Sequence, residues 1–276
     1  MGDQSQEPTT ILVTGGTGKT GRRVVERLAD HDVSVRVGSR SGTPPFDWAH
    51  ETTWAPALSG VDAAYIAYFP DLAFPGAVDA VATFSELAVA AGVERLVLLS
   101  GRGEEEAEAA ERVVRDSGAL WTIVRCSWFN QNFSESFLLD SALTGEIALP
   151  VGDAVEPFVD TDDIADVVVA ALTDRRHVGR LYELTGPRLL SFHDVAAEIT
   201  KATGSEVRYI PLTSRQYATV LRDHDLPGDF AELFSTILDG RNAHLTDGVR
   251  RALGREPKDF ADFARDAAAS GAWATN

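Results

Sequence analysis

The feature that most constrains this chain lies near its start, where the apolar run at residues 11–14 (ILVT) enters Gly15-Gly16-Thr17-Gly18-Lys19-Thr20-Gly21. A β-branched run ending in glycines, then Val24, Val25 and Leu28 on one side of a charged segment, predicts strand, tight turn and helix. Residues 33–37 (VSVRV) return to strand pattern, which completes a βαβ unit with a right-handed crossover. Glycine at positions 15, 18 and 21 permits the tight turn, a close approach of phosphate oxygens to the backbone, and close packing of helix on sheet. The exposed amides and the helix dipole then suit a pyrophosphate. Glycine turns without ligands are common, so the flanking strand and helix assign the loop to a dinucleotide. Gly15, Thr17, Gly18, Lys19, Thr20 and Gly21 are the expected contacts.

The dinucleotide is selected after the second strand. An acidic residue there would bind a ribose 2′-hydroxyl, and a basic one accommodates a 2′-phosphate. The sequence offers Gly38-Ser39-Arg40-Ser41 and no acid. Arg40 can present forked donors to a phosphate, helped by Ser39 and Ser41, with Lys19 as a second contact. The expected cofactor is NADPH/NADP; the competing reading makes Arg40 a solvated surface side chain.

Alternation continues with strands at 63–67, 93–100 and 120–124 and helices at about 75–91 and 104–116. It breaks in the aromatic- and asparagine-rich segment 128–139, followed by short strands and turns to 160. A helix is predicted at 164–172, a strand at about 180–186, and a helix at 191–203 capped by Ser191 with Asp194 in its first turn. The fold class expected is α/β: a Rossmann-type doubly wound parallel sheet with a smaller C-terminal α+β substrate cap. Residues 1–150, plus the returning strand, form the NADP-binding domain; 151–276 are mainly cap, interleaved with the core.

With 276 residues, 44% of them hydrophobic, the chain can bury a sizeable core. A net charge of −17 repels nucleic-acid phosphates and anionic lipid, so neither is an expected partner. No run approaches the ~20 apolar residues of a membrane span, and residues 1–10 lack the pattern of an export signal. The single cysteine, Cys126, makes no internal disulfide or multi-cysteine metal site, and a reducing cytoplasm is the expected compartment. Asp160, Asp162 and Asp163 read as the charged start of a helix, with Asp160 or Thr161 as cap, and no metal is expected.

These residues resemble the NmrA-like branch of the atypical short-chain dehydrogenases/reductases. The resemblance rests on Thr14–Gly21 (TGGTGKTG), residues 58–67 (LSGVDAAYIA), 97–100 (VLLS), 117–125 (SGALWTIVR), 129–133 (FNQNF), 157–165 (PFVDTDDIA) and the tail from 262 to 273. Within that branch the chain is similar to bacterial NADPH:quinone reductases and to reductases of iminium intermediates in ergot-alkaloid pathways. The branch also holds redox-sensing regulators that bind NADP and catalyse little. The resemblance implies Arg40 near the 2′-phosphate, Asp47 and Trp48 near the adenine, and Ala67, Tyr68 and Phe69 along the cofactor. It implies Ser100 under the nicotinamide and Arg125 to Phe129 beside that ring. Phe69, Trp128, Phe129, Asn132 and Phe133 are the expected substrate contacts, with Phe137 in the same aromatic wall.

The wider superfamily uses a Tyr-x-x-x-Lys pair, in which lysine lowers the tyrosine pKa for proton donation. Here no tyrosine (65, 68, 182, 209, 217) has lysine four residues later, and the predicted helix at 104–116 holds neither residue type. Either the chemistry needs no strong enzymic acid, as in hydride addition to an iminium or quinone, or another group substitutes. Tyr68, Ser100 and Asn130 are the catalytic candidates, with Asn132 and Glu104 also possible by family position; packing, strand capping and loop ties are their alternative roles. The expected activity is NADPH-dependent reduction of a planar conjugated small molecule (quinone, enone or iminium), in specialised metabolism. The alternatives are an NADP(H)-binding redox sensor and a cofactor-retaining isomerase or epimerase. A homodimer is the assembly considered.

Overall fold

The computed structural model describes residues 9–136, 138–223, 234 and 237–274; Phe137 lies outside the described residues. Ile11, Leu12 and Val13 of β1 (Thr9–Thr14) keep no solvent exposure, so the strand takes an interior position in the sheet. It runs parallel to β2 (Val33–Gly38) on one side and to β3 (Ala63–Ile66) on the other. β4 (Arg95–Gly101) pairs in parallel with β3. β5 (Leu120–Cys126) and β8 (Arg180–Leu184) complete a six-stranded sheet in the order β2-β1-β3-β4-β5-β8. The returning strand expected at about 180–186 is therefore the edge strand β8. Successive strands are added on one side of β1 with β2 and on the other from β3 on, so the winding order reverses between β1 and β3, and ligands of such sheets bind at that switch point, outside the carboxyl ends of the strands.

Two compact units divide the chain. One comprises residues up to Gly101, Glu105–Arg125 and Ile164–Tyr182; the other comprises Arg102–Glu104, Cys126–Asp163 and residues from Glu183 on. The two units alternate along the chain. Phe133, Leu138, Ala142, Ile147 and Leu149 already belong to the second unit's apolar core, whereas α6 (Thr161–Thr173) is counted with the first unit from Ile164.

In the first unit, α1 (Lys19–Leu28) buries Thr20, Gly21, Val24 and Leu28. The core joins Leu96 and Leu98 of β4 and Ile123 of β5 to Val81, Phe84 and Ala88 of α3 (Ala77–Ala90). Ala107, Ala110 and Val114 of α4 (Glu105–Asp116) complete it. The second unit holds α5 (Leu139–Thr144), β6 (Glu146–Leu149) paired in parallel with β10 (Arg208–Pro211), and β7 (Val155–Glu156) antiparallel to β9 (Leu190–Ser191). α7 (Phe192–Thr203), α8 (Ser214–Asp223), α9 (Gly248–Leu253) and α10 (Phe260–Ala269) follow. Its core is aromatic, built on Phe133, Phe158, Phe192 and Phe260.

The expected cap of α7 is present as a reciprocal box: Ser191 Oγ accepts from Asp194 N, and Asp194 accepts from Ser191 N. α6 begins at Thr161, ahead of the predicted 164, because Asp160 Oδ1 accepts from Asp162 N and caps an earlier turn. Among the described residues no helix is long and apolar enough to cross a membrane.

Candidate active site

Two glycines of the loop leave no room for a side chain. A Cβ on Gly21 would lie 2.1 Å from Gly15 O, and one on Gly16 would lie 2.8 Å from Val37 Cγ1. Gly15 adopts φ +61°, a left-handed conformation open to glycine. Gly18 N donates to Gly15 O at 2.8 Å and Gly16 N to Gly38 O at 3.1 Å, which turns the chain from β1 into α1. No side chain caps α1, whose N-cap is Gly18. The amides of a helix's first turn have no partner within the helix, and they are the kind of donor set a pyrophosphate requires. Thr17 and Gly18 are exposed, Lys19 is half-buried, and Thr20 is buried with its Oγ1 accepting from Tyr65 OH at 3.0 Å.

Thr14 ties the loop to the end of β3: its Oγ1 donates to Tyr65 O (2.9 Å) and accepts from Ala67 N (2.9 Å). Ala67 consequently sits beside Gly15, 3.6 Å from where a Cβ there would lie. Trp48 Nε1 donates to Ala67 O at 2.9 Å, and the Trp48 ring meets Tyr68 with centroids 5.1 Å apart. Asp47 O accepts from Trp54 Nε1 at 2.8 Å, while the Ala49 amide and His50 hold the Asp47 carboxyl below its ordinary pKa, with a smaller pull from Arg40. Arg40 is exposed just beyond β2, with Ser39 and Ser41 hydroxyls 3.4 Å apart. The structure thus brings Gly15, Ala67, Tyr68 and Trp48 together and leaves Phe69 76% exposed.

At the carboxyl ends of β4 and β5, Ser100 and Arg125 share one partner. Ser100 Oγ donates to Glu111 Oε1 at 2.8 Å, and Arg125 donates through Nε to Oε1 (2.7 Å) and through Nη2 to Oε2 (2.6 Å). Glu111 is buried in the middle of α4, the helix that lacks tyrosine and lysine. The sequence reading missed it. Its signal was an acid among the small residues of the face that packs on the sheet. With its proton committed to Glu111, Ser100 offers a ligand a lone pair. Tyr68 titrates above the ordinary tyrosine range because of burial, the opposite of what a neighbouring lysine does.

In the second unit, Trp128 is half-buried and packs edge-on against Phe192 (5.5 Å), Phe158 (6.3 Å) and Phe133 (6.4 Å). Phe133 has no exposure and carries a second tie, Trp273 Nε1 donating to its carbonyl at 2.8 Å. Phe129 is half-buried and Asn132 is 8% exposed. Asn130 is fully enclosed; its amide donates to Asp160 Oδ2 at 3.4 Å, and Gln131, unremarked in the sequence, donates to Asp160 Oδ1 at 2.9 Å and accepts from Thr161 N.

The aspartates flanking this tie are held by the chain itself. Lys258 Nζ lies 3.9 Å from Asp160, and Asp163 accepts from Arg255 and from Lys258 N. Burial pushes the Asp160 and Asp163 carboxyls up. Among the described residues no group of three or more His, Cys, Asp or Glu side chains could hold a metal ion.

A second buried polar group in this unit centres on Arg102. Its Nε donates to Glu183 Oε1 (2.6 Å), Nη1 to Ser127 Oγ (2.9 Å), and Nη2 meets His244 Nε2 (2.7 Å). Burial pushes the neighbouring Cys126 thiol well above its ordinary pKa, against a smaller opposing pull from Arg102. Glu156 is raised to about 7 by the same cause.

A profile of NAD(P)H-binding proteins matches residues 15–175, and a profile of the NmrA-like family matches residues 105–262. The chain is 32% identical over 279 residues to agroclavine dehydrogenase of Claviceps fusiformis, covering 93% of this chain and 96% of that one. It is 30% identical over 278 residues to Prestalk A differentiation protein A of Dictyostelium discoideum, covering 93% and 92%. Among solved structures it is similar to an NADPH-dependent quinone oxidoreductase from Escherichia coli complexed with NADPH, with TM-score 0.73, 22% identity, and coverage of 93% of this chain and 99% of that one. Sequence likeness along most of its length and the sheet order together place one conclusion beyond the geometry: the chain belongs to the NmrA-like family of NAD(P)H-binding oxidoreductases.

Proposed function

We propose that the protein is an NADPH-dependent reductase of a planar conjugated electrophile, a quinone, enone or iminium, working without a tyrosine–lysine pair. The observation that carries the reading is the pairing of an α1 N-terminus without a side-chain cap, behind a loop whose Gly16 and Gly21 leave no room for a Cβ, with an exposed Arg40, and no acid, directly after β2. The α1 amides hold the pyrophosphate, and Lys19, Ser39 and Arg40 hold the 2′-phosphate, where a guanidinium offers paired donors to one anion. NADPH, when bound, supplies the hydride.

Ala67, Ser100 and Arg125 line the cofactor in this reading. Ser100 takes the part of an acceptor, for a carboxamide N–H, because its own O–H donates to Glu111. Tyr68 is the flat polar neighbour that packs along the cofactor. In the second unit a flat substrate stacks on Trp128, a half-buried ring of the aromatic cluster, with Phe129 and Asn132 nearby in sequence, while Phe133 packs on Trp128 and Asn130 ties the segment to Asp160. The clavine dehydrogenase relative supports a conjugated nitrogen compound as one substrate class and a place in specialised metabolism.

The experiment is a panel of quinones, enones and iminium compounds mixed with protein and NADPH, read at the nicotinamide absorbance band. Consumption above background with one class supports the proposal; none across the panel removes it. A redox-sensor reading is favoured by the Ser100–Glu111 bond, which withdraws the strand-end hydroxyl from proton donation. It predicts strong discrimination between NADPH and NADP in calorimetry without turnover.

A further inference from the structure

Within the second unit, a groove of about 550 Å³ runs between α7 and β10. Ala196, Ala197, Thr200 and Lys201 line it from the helix, at the three- and four-residue spacing that gathers side chains into one stripe. Val207, Arg208 and Tyr209 line it from the strand side. The two elements run in opposite directions. Val207, just before β10, is tied to Thr200 near the end of α7, and the Tyr209 ring meets the His193 ring near the start of α7 with centroids 4.9 Å apart.

β10 has one bonded side and one open side. Arg208 N donates to Gly145 O and Leu212 N to Leu149 O, so these residues turn their amides toward β6. Alternation along the strand turns the N–H and C=O of Val207 and Tyr209 the other way, into the groove. Thr200 satisfies Val207, its Oγ1 accepting from Val207 N at 2.9 Å and donating to Val207 O at 3.2 Å. The N–H and C=O of Tyr209 meet no partner among the described residues. Nor does the exposed Lys201 ammonium have an ion-pair or hydrogen-bond partner among them. The nearby acids are engaged: Glu206 by Arg208 at 2.8 and 2.9 Å, Glu198 by Arg188 at 2.9 Å, and Asp194 by the cap of α7. On a chain of net charge −17, this groove therefore presents a cation that is available to an acid.

We propose that this groove takes an extended, acidic peptide segment of a partner protein, which adds a strand to the open side of β10. One peptide residue exchanges two main-chain hydrogen bonds with Tyr209, a peptide side chain fills the space over Ala196 and Ala197, and an acidic side chain meets Lys201. A free donor and a free acceptor on one strand residue fit a main chain, which offers both; a small carboxylate leaves the Tyr209 carbonyl unmet. Pro211 has no N–H to give, so the added strand is short and its selectivity comes from the side-chain contacts. The proposal is independent of the reductase reading, since every residue it uses lies between His193 and Leu212 of the second unit.

The probes are fluorescein-labelled heptapeptides that alternate glutamate with valine, threonine or phenylalanine, read by fluorescence anisotropy on the full chain. Their controls carry lysine in place of glutamate, or N-methyl groups along the backbone. Wild type should bind an acidic peptide, more weakly as salt rises. Each control should bind at least about 5-fold more weakly, the worth of one hydrogen bond or one exposed charge pair. Lys201→Glu should weaken the acidic peptide by at least about the same factor. Ala197→Trp, at an exposed position, fills the groove and should abolish binding. Both variants should keep the wild-type melting temperature and NADPH affinity, which shows that the loss is local to the groove. Failure of wild type to bind any acidic peptide overturns the proposal, as does equal binding of the N-methylated form. Binding that survives both substitutions places the peptide elsewhere and overturns it too. Displacement of the peptide by an equal concentration of hexanoate assigns the groove to a small organic anion, which also overturns it.

Discussion

Ser100 Oγ donates a hydrogen bond to Glu111 Oε1 at 2.8 Å, so the hydroxyl at the end of β4 is turned toward α4. The same carboxylate binds Arg125 through two bonds of 2.7 and 2.6 Å. One buried acid thereby sets the orientation of two side chains on adjacent strands.

Substituting Glu111→Ala should leave the Arg125 guanidinium without its bidentate partner. Breaking one side of a buried ion pair costs about 3–5 kcal/mol, so urea unfolding should show a loss of that order. Ser100→Ala removes one hydrogen bond to a charged acceptor, worth about 1.5–3 kcal/mol. If Ser100 is an acceptor for the cofactor and no acid, this variant should raise KM for NADPH while lowering kcat less than the 100-fold expected of a lost general acid.

Arg40 should decide between the two nicotinamide dinucleotides. Arg40→Ala removes a charge-assisted contact worth about 1.5–3 kcal/mol, or roughly 10- to 150-fold in affinity. Calorimetry should show that loss for NADPH and little change for NADH. Equal weakening of both would assign Arg40 to general surface charge.

Gly21→Ala should abolish cofactor binding. The added methyl carbon would lie 2.1 Å from Gly15 O, so either the loop or the first turn of α1 must shift. A circular-dichroism melt with and without NADPH would show both a lower melting temperature and no ligand-induced rise.

Glu156 links stability to pH. Its folded-state pKa is raised from 4.5 to about 7 by burial, with Asp239 adding and Arg102 opposing. A carboxyl that holds its proton more tightly when folded contributes most stability below its unfolded pKa and loses that contribution as pH rises through its folded pKa; the full loss is about 3 kcal/mol. Glu156→Gln should therefore raise the melting temperature at pH 8 relative to wild type, with a gain that shrinks toward pH 5. A constant difference across that range would contradict the assignment.

Cys126 should be inert. Its thiol is 4% exposed and burial pushes it well above the ordinary cysteine range, so the reactive thiolate is scarce. A thiol-reactive chromophore should label the native protein slowly and the urea-unfolded protein at once.

Much of the first unit was legible because its signals are local. The run at 11–14, the glycine spacing and the second strand each read from neighbours in sequence, and β1, α1 and β2 follow them. The Ser191–Asp194 cap was equally local. The second unit was less legible because its core collects residues as distant as Phe133, Phe192 and Trp273, which no short-range period connects. The same limit hid Glu111: its partners Ser100 and Arg125 lie on two different strands, and in sequence it is one acid among several on α4. Gln131 escaped notice because its meaning comes from Asp160, far along the chain.

The most direct test of the account is calorimetric titration of wild-type protein with NADPH and, separately, with NADH. The account predicts saturable heat with NADPH, a rise in melting temperature, and affinity at least about 10-fold tighter than for NADH, as one phosphate–guanidinium contact implies. No heat and no stabilisation with either nucleotide would contradict it.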